Sequence, residues 1–142
     1  MENKIRYTLG KQERLKSRKA IEQLFKEGKS FAVYPFRILY ILKKDQPGID
    51  DKSLAANKAL VQAGFTASSR NFKRAVDRNR IKRLMREAWR LQKHRLQLPT
   101  AQKFTLVLFF IYIGKDLPGY NLVYEKTTLV IKRLTKLMRE SN

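Results

Sequence analysis

Apolar residues near the start of the chain recur at the spacing of one helix face. They are Ala20, Ile21, Leu24 and Phe25. Ser17 precedes them and belongs to the residue types that cap helix N-termini, while Gly28 follows them where a left-handed C-terminal cap belongs. The pattern predicts a short helix over residues 17–27.

Three later segments have the patterns of β-strands. Residues 31–42 are rich in aromatic and β-branched side chains, and Pro35 indicates that this strand begins at a sheet edge. Residues 60–67 alternate in polarity, as in a strand with one buried face, whereas residues 104–113 are apolar on both faces, as in a covered central strand. Alternation within the first segment predicts one face with Phe36, Ile38, Tyr40 and Leu42 and another with Arg37, Leu39 and Ile41.

Two more helices complete the predicted order. One lies within the basic segment 68–95, and the other follows from the apolar spacing over residues 121–139. The order α-β-β-α-β-α predicts an α/β sandwich, with one sheet packed by helices, in a single domain over residues 1–142. We expect residues 1–13 to be flexible and residues 43–58, which contain a Pro-Gly turn signal, to form a mobile connection.

Charged and apolar residues lie on opposite sides of the helix predicted within the basic segment. The apolar stripe is Ile81, Leu84, Met85 and Ala88, and the opposite side carries Arg78, Asn79, Lys82, Arg83, Arg86, Arg90 and Lys93. Asp77 fits best at the helix start, where its carboxylate would cap free N–H groups. A solvated face with mixed signs is the alternative, but only Glu87 interrupts a series that also includes Arg70, Lys73, Arg74 and Arg95.

Composition makes a polyanionic partner the leading interpretation of this helix. The chain has 32 Lys+Arg against 12 Asp+Glu, a net charge of +20, yet 43% hydrophobic residues are enough to close a core. Such charge is tolerable mainly where nucleic acid or an acidic membrane surface neutralises it. The lack of cysteine excludes disulfides and thiolate metal sites. No apolar run resembles a signal or a membrane span, so we expect a cytoplasmic protein without a membrane partner.

Candidate catalytic side chains are missing from the sequence pattern. Hydrolysis by protein groups would need a general base, paired carboxylates or metal ligands that converge on one site. His94 is the only histidine and lies between two cations at a helix end, and Asp50 and Asp51 fall in the mobile connection. Trp89, between the basic and apolar arcs, fits the rim of a core better than a base-stacking site. We therefore predict no catalytic residue and no protein-held metal.

Three sequence motifs carry a resemblance to a known family. AVDRNRIKRLMREAWR at 75–90 resembles the RNR signature of the bacterial ribonuclease P protein component. RLKSRKAIEQLFKEGKSF at 14–31 and AGFTASSRNFKRAV at 63–76 extend the resemblance upstream in the family's order. Two features depart from the family's pattern. Ile21 stands where members often have an aromatic residue, and Ser68-Ser69-Arg70-Asn71-Phe72 replaces the commoner Ser-Lys-Lys with small residues.

The resemblance implies both a fold and an activity. The fold would be similar to the second domain of ribosomal protein S5, with one mixed sheet and an unusual left-handed βαβ crossover. The protein would join a catalytic RNA, and this holoenzyme would remove the 5′ leader of precursor tRNA by endonucleolytic hydrolysis. The RNA would carry the chemistry with bound magnesium. The implied partners are the catalytic RNA and precursor tRNA, and no stable protein partner is expected.

The resemblance also locates two RNA-binding surfaces. The family's pattern implies catalytic-RNA contacts at Arg78, Asn79, Arg80, Lys82, Arg83 and Arg86, and the charge series adds Arg70, Lys73, Arg74 and Arg90. The cleft between the first helix and the sheet resembles the family's site for the single-stranded leader, where stacking aromatics and cations are required. The candidates there are Phe25, Phe36, Arg37 and Tyr40.

Two rival functions share these features. A purely structural RNA-binding protein, such as a ribosomal protein, would have the same charge and fold without supporting turnover. A DNA-binding protein would place the basic helix in a major groove. Dependence of tRNA processing on the protein separates the first rival, and competition between duplex DNA and structured RNA separates the second.

Overall fold

The computed structural model describes residues 9–44, 60–96 and 104–140. Within these ranges the helices are α1 (Arg18–Glu27), α2 (Ala75–Gln92) and α3 (Tyr120–Glu140), and the strands are β1 (Lys29–Val33), β2 (Phe36–Lys44), β3 (Leu60–Ala67) and β4 (Phe104–Tyr112). Of the predicted mobile connection, residues 43 and 44 belong to β2, and the remainder lies outside the described residues. The fold class is the predicted α/β arrangement of one mixed sheet and helices.

The strands in the described ranges form one sheet in the order β1-β2-β4-β3. β2 is antiparallel to both of its neighbours, β1 and β4, whereas β3 is parallel to β4. α2 connects these two parallel neighbours, so the structure contains the expected βαβ unit. The left-handed sense that the resemblance implies for this unit stays a prediction. β4 is a covered central strand, as its two-sided apolar pattern predicted.

The segment predicted as one strand over residues 31–42 is instead a hairpin. Tyr34 and Pro35 form the turn, and their peptide bond is cis. Val33 therefore pairs with Phe36, and β2 is bonded on both sides. The predicted strand does start at a sheet edge, since residues 31–33 belong to the edge strand β1, but Pro35 itself lies in the turn. A turn this short leaves two apolar arms almost continuous along the sequence, which explains why they resemble one strand.

The larger core lies between one face of the sheet and the helices α2 and α3. Its buried side chains include Phe36 and Ile38 of β2, Leu106, Leu108 and Phe110 of β4, Ile81, Met85, Ala88 and Trp89 of α2, and Val123, Val130 and Leu134 of α3. Burial of the predicted α2 stripe in this core turns the opposite, basic side of the helix outward. The core thus sets the direction in which the charge is presented.

The smaller core lies between the other face of the sheet and α1. Leu24 of α1 packs with Leu15, Leu39, Val107 and Phe109. Ser17 is the N-cap, as predicted, and its hydroxyl accepts a hydrogen bond from Ala20 N at 3.3 Å. Only part of the sheet face is covered, because α1 is a helix of 10 residues.

Gly28 ends α1, but the predicted left-handed cap is wrong. Its φ of −71° and ψ of 155° are extended backbone, which any residue adopts. The reason for glycine is instead a close approach of backbone atoms. A Cβ at this position would lie 2.5 Å from the carbonyl oxygen of Leu24 and 3.2 Å from that of Tyr40. The missing side chain lets α1 turn directly into the sheet.

α2 begins at Ala75 with Arg74 as its N-cap. Asp77 therefore lies in the first turn, at the helix start as predicted, where its carboxylate favours the helix dipole. Residues 9–13, within the segment expected to be flexible, include a 3-10 turn at Lys11–Glu13. The carboxylate of Glu13 forms an ion pair with Lys93, which ties this turn to the end of α2. The rest of that segment, residues 1–8, lies outside the described residues.

Candidate nucleic-acid interface

The outward side of α2 presents a continuous cationic surface. Arg80, Arg83 and Arg86 are exposed, Lys82 is half-buried, and Asn79 lies exposed among them. The irregular segment before the helix adds exposed Arg70, Lys73 and Arg74. The structure therefore places these sequence-predicted RNA-binding residues on or beside one helix face, and their contact with RNA stays a prediction.

Two of the candidate cations have partners inside the protein. The guanidinium of Arg78 donates to the carbonyl oxygens of Phe72 and Lys73, each at 2.8 Å, and so holds the segment that precedes α2. Arg90 pairs with Glu87, and Arg90 Nε donates to a carboxylate oxygen at 3.1 Å. This hydrogen bond lowers the pKa of Glu87 below its usual value. Arg78 is therefore at least partly a positioning residue, and the charge of Arg90 is locally compensated.

A pocket of about 320 Å³ lies beside the basic face, between α2, β3 and the N-terminal segment. Lys82 and Arg86 of α2 line it together with Arg14 and Lys16. The backbone fixes the latter two: Leu15 N donates to the carbonyl oxygen of Ala63 at 3.0 Å, and Arg14 forms a parallel bridge with the same residue. Below we call Arg14, Lys16, Lys82 and Arg86 the pocket cations.

The sequence interpretation missed Arg14 and Lys16 as site residues. One signal was available: both flank Leu15, whose side chain is buried in the smaller core, so a fixed extended segment turns its two neighbours away from that core. Their meeting with α2 depends on the pairing of the N-terminal segment with β3. That pairing leaves no local pattern in the sequence.

The electrostatics of this pocket favour an anion. Its lining contains the pocket cations and no acidic residue. Within the described residues, the ion pairs are Arg90–Glu87 and Lys93–Glu13, so the pocket cations have no carboxylate partner there. Like charges that converge on a concave surface repel one another, and a bound phosphate relieves this repulsion. Arginine provides a planar fork for phosphate oxygens, and lysine provides a point charge.

The second predicted surface, the cleft beside α1, retains two of its four candidates. Phe25 of α1 is 60% exposed, and its ring centroid lies 6.0 Å from that of Phe109 in an edge contact. Arg37 is exposed on the same sheet face, since it lies two residues before Leu39, which pairs with Phe109. An aromatic ring and a cation therefore border an uncovered part of the sheet.

Phe36 and Tyr40 do not belong to this cleft, so their placement there is wrong. Both point to the opposite face of the sheet, where Phe36 is completely buried and Tyr40 packs against the larger core with its ring 5.9 Å from that of Phe31. Burial raises the pKa of the Tyr40 hydroxyl above its usual value. Alternation separated the two faces correctly, but it does not reveal which face α1 covers.

The remaining residues that the sequence singled out for possible chemistry are Trp89, His94, Asp50 and Asp51. Trp89 is 1% exposed, and its ring lies 5.5 Å from that of Phe110, so it is a core residue. His94 is exposed in the short turn that follows α2, and Asp50 and Asp51 lie outside the described residues. In the part of the chain that the structure describes, no three histidine or acidic side chains form a group that could hold a metal ion. Within the same residues, no helix has the length and hydropathy of a membrane span.

Comparison with known proteins identifies the family of this fold and site. The family model for ribonuclease P matches residues 9–117, which include the N-terminal segment, α1, the whole sheet and the basic helix. The chain belongs to the ribonuclease P protein family. It is 38% identical over 119 residues to the ribonuclease P protein component of Porphyromonas gingivalis strain W83, covering 82% of this chain and 79% of the relative. The component from Chlorobium phaeobacteroides is 31% identical over 135 residues, which cover 89% of this chain and 88% of the relative.

Solved structures of ribonuclease P proteins have the same fold. The protein from Thermotoga maritima matches with a TM-score of 0.58 and 26% identity, over 85% of this chain and 96% of that one. The protein from Staphylococcus aureus matches with a TM-score of 0.57 and 20% identity, over 84% of this chain and 93% of that one. These comparisons confirm the family resemblance that the sequence motifs carry.

Proposed function

We propose that this ribonuclease P protein binds the catalytic RNA through the pocket cations and the exposed side of α2. In this proposal the RNA hydrolyses precursor tRNA and holds the magnesium that the reaction requires. The protein contributes affinity for both RNAs and selection of the precursor. The observation that carries the proposal is the pocket lined by four cations without an acid, which continues a cationic helix face.

The division of labour follows from what the side chains supply. Arginine and lysine neutralise phosphates, and this contact fixes position and affinity without sequence readout. No carboxylate or imidazole that could act as a general base lines the pocket. The arrangement of the pocket cations therefore supports binding of the RNA partner, and we assign the chemical step to that partner.

We propose that the single-stranded leader of precursor tRNA lies in the cleft beside α1. Phosphate contacts alone hold precursor and mature tRNA equally, so preference for the precursor requires a contact to the leader itself. Phe25 offers an exposed ring for a base, and Arg37 offers a charge for the backbone on the same sheet face. Phe36 is buried in the larger core and Tyr40 packs against that core on the opposite sheet face, so Phe25 and Arg37 are the candidates that remain.

The holoenzyme role is tested by cleavage of 5′-labelled precursor tRNA with the source organism's ribonuclease P RNA at low magnesium. We expect cleavage at the mature 5′ end only when the protein is added at matched ionic strength. The control is the RNA alone at high magnesium, which shows that the RNA is folded and active. No stimulation by the protein, with that control active, would instead favour a structural RNA-binding role.

Replacement of Phe25 by Ala should reduce the preference of the holoenzyme for precursor over mature tRNA. Loss of one base–aromatic stack costs about 1–3 kcal/mol, so we expect the ratio of the two dissociation constants to fall about fivefold or more. Leu129→Ala is the control, because it removes another exposed apolar side chain, from α3. Equal loss of affinity for precursor and mature tRNA in Phe25→Ala would contradict a leader contact.

A further inference from the structure

A second pocket, of about 290 Å³, lies at the end of the sheet where the β1–β2 turn meets the β4–α3 connection. Three of its lining residues, Tyr34, Leu117 and Leu122, are among the large hydrophobic side chains that stay exposed, at 67%, 48% and 39%. Lys115 and Lys126 belong to the same lining. Neither the leader cleft nor the cationic face of α2 includes this pocket.

The floor of the pocket is built from tightly packed residues. Tyr112 is buried, and its ring centroid lies 6.2 Å from that of Phe36 and 5.9 Å from that of Phe72. Its hydroxyl donates a hydrogen bond to the carbonyl oxygen of Asp116 at 2.6 Å. Gly114 is required beside it, because a Cβ there would lie 2.6 Å from the Tyr112 hydroxyl oxygen. The concavity is therefore present before any ligand binds, which lowers the cost of binding.

The pocket is also joined to the cationic region before α2. Asn71 Nδ2 donates to the carbonyl oxygens of Ile113 and Gly114, each at 3.3 Å, and Gly114 lines the pocket. Arg70 precedes Asn71 and is exposed. A polyanion bound at this segment would therefore pass close to the pocket.

From this arrangement we infer that the pocket binds a nucleobase of single-stranded RNA, stacked on Tyr34, with the adjoining phosphates near Lys115 and Lys126. An exposed aromatic ring with flanking cations is the combination that single-stranded nucleic acids require. One acid, Asp116, shares the lining, and within the described residues it forms no ion pair with either lysine. The two cations oppose an apolar protein segment as the occupant, because buried cores of protein interfaces are depleted in charge. The inference depends on the proposed function in one respect, because it takes RNA to be the polyanion that this protein binds.

The test uses a fluorescent reporter in the full-length protein. Trp89 is buried, so Tyr34→Trp introduces an exposed indole whose emission is compared with that of the parent. A single-stranded oligoadenylate of about eight nucleotides should quench this emission, whereas inorganic polyphosphate, which has charge but no bases, should not. Quenching by both polymers alike, or by neither, would overturn the inference.

Side-chain variants then separate stacking from general apolar contact. Tyr34→Phe should keep oligonucleotide affinity, and Tyr34→Leu should lose about fivefold or more, since leucine has no π face. Leu122→Ala should also weaken binding, whereas Leu129→Ala, two turns away on α3 and similarly exposed at 41%, should not. If Tyr34→Leu binds as tightly as Tyr34→Phe, the pocket takes an apolar group and the inference fails. Quenching without protein-dependent cleavage of precursor tRNA would leave the pocket in place and refute the holoenzyme role.

Discussion

Replacement of Arg14, Lys82 and Arg86 by glutamine should weaken binding to the catalytic RNA by about 50- to 170-fold at about 0.15 M salt. Each lost phosphate contact lowers the steepness of log K against log salt by about 0.7–0.9, so three contacts lower it by about 2.1 to 2.7. The counterion contribution vanishes at about 1 M salt, so the loss of affinity is the change in slope multiplied by the logarithm of the ratio between 1 M and about 0.15 M. The measurement is the dissociation constant of the protein–RNA complex at several salt concentrations.

The matched control for this triple variant removes three cations from α3. Lys132, Arg133 and Lys136 are exposed there and belong to neither the pocket nor the basic face of α2. Both variants lower the net charge by the same amount, so a difference between their slopes reports position and not total charge. Equal slopes in the two variants would contradict a built phosphate site. The result also decides whether Arg14, which the sequence interpretation missed, belongs with the α2 cations.

Trp89→Ala should destabilise the protein by about 3–5 kcal/mol, because it leaves a cavity beneath α2. At this chain length the loss corresponds to a fall of about 10 °C or more in Tm. Trp89 is almost completely buried against Phe110, and its side chain anchors α2 to the sheet. Thermal unfolding followed by circular dichroism measures the change.

The same variant distinguishes a core tryptophan from a base-stacking one. Trp89→Phe keeps a ring against Phe110 and should cost less than half as much stability. At temperatures below its lowered Tm, the dissociation constant of Trp89→Ala for the catalytic RNA should lie within about threefold of the parent's. The buried indole offers no exposed ring on which a base could stack. A loss of RNA affinity with an unchanged Tm would show that the indole contacts RNA.

These two experiments address opposite sides of one helix. Ile81, Met85 and Trp89 hold α2 against the sheet, while Lys82 and Arg86 border the pocket on the outward side. The density of positive charge on that side opposes folding through self-repulsion, and burial of the apolar stripe offsets it. RNA binding would remove the repulsion, so stability of α2 and affinity for RNA are linked through the same electrostatic contribution.

The periodic spacing of apolar residues predicted most of the fold, because a helix or strand packed on a core buries its positions at a regular interval. The α2 stripe, both faces of β2 and the two-sided burial of β4 agree with the structure. Predictions failed where the outcome depends on geometry that a pattern does not encode. The hairpin at Tyr34–Pro35 was missed because its arms are both apolar, and the role of Gly28 follows from the nearby carbonyl oxygens of Leu24 and Tyr40.

The sequence by itself determined that this protein carries a cationic helix with one apolar stripe, and its RNR motif pointed to the ribonuclease P family. Charge, helical period and a contiguous motif are properties of neighbouring residues, so they can be read without knowing the fold. Only the tertiary structure decided that Arg14 and Lys16 join Lys82 and Arg86 in one pocket, and that Phe25 and Arg37 share a face from which Phe36 and Tyr40 are excluded. Contacts between distant segments depend on which strands pair and on which sheet face each helix covers. Those choices are made by packing of the whole chain, and they decide which of the predicted residues can meet at a common site.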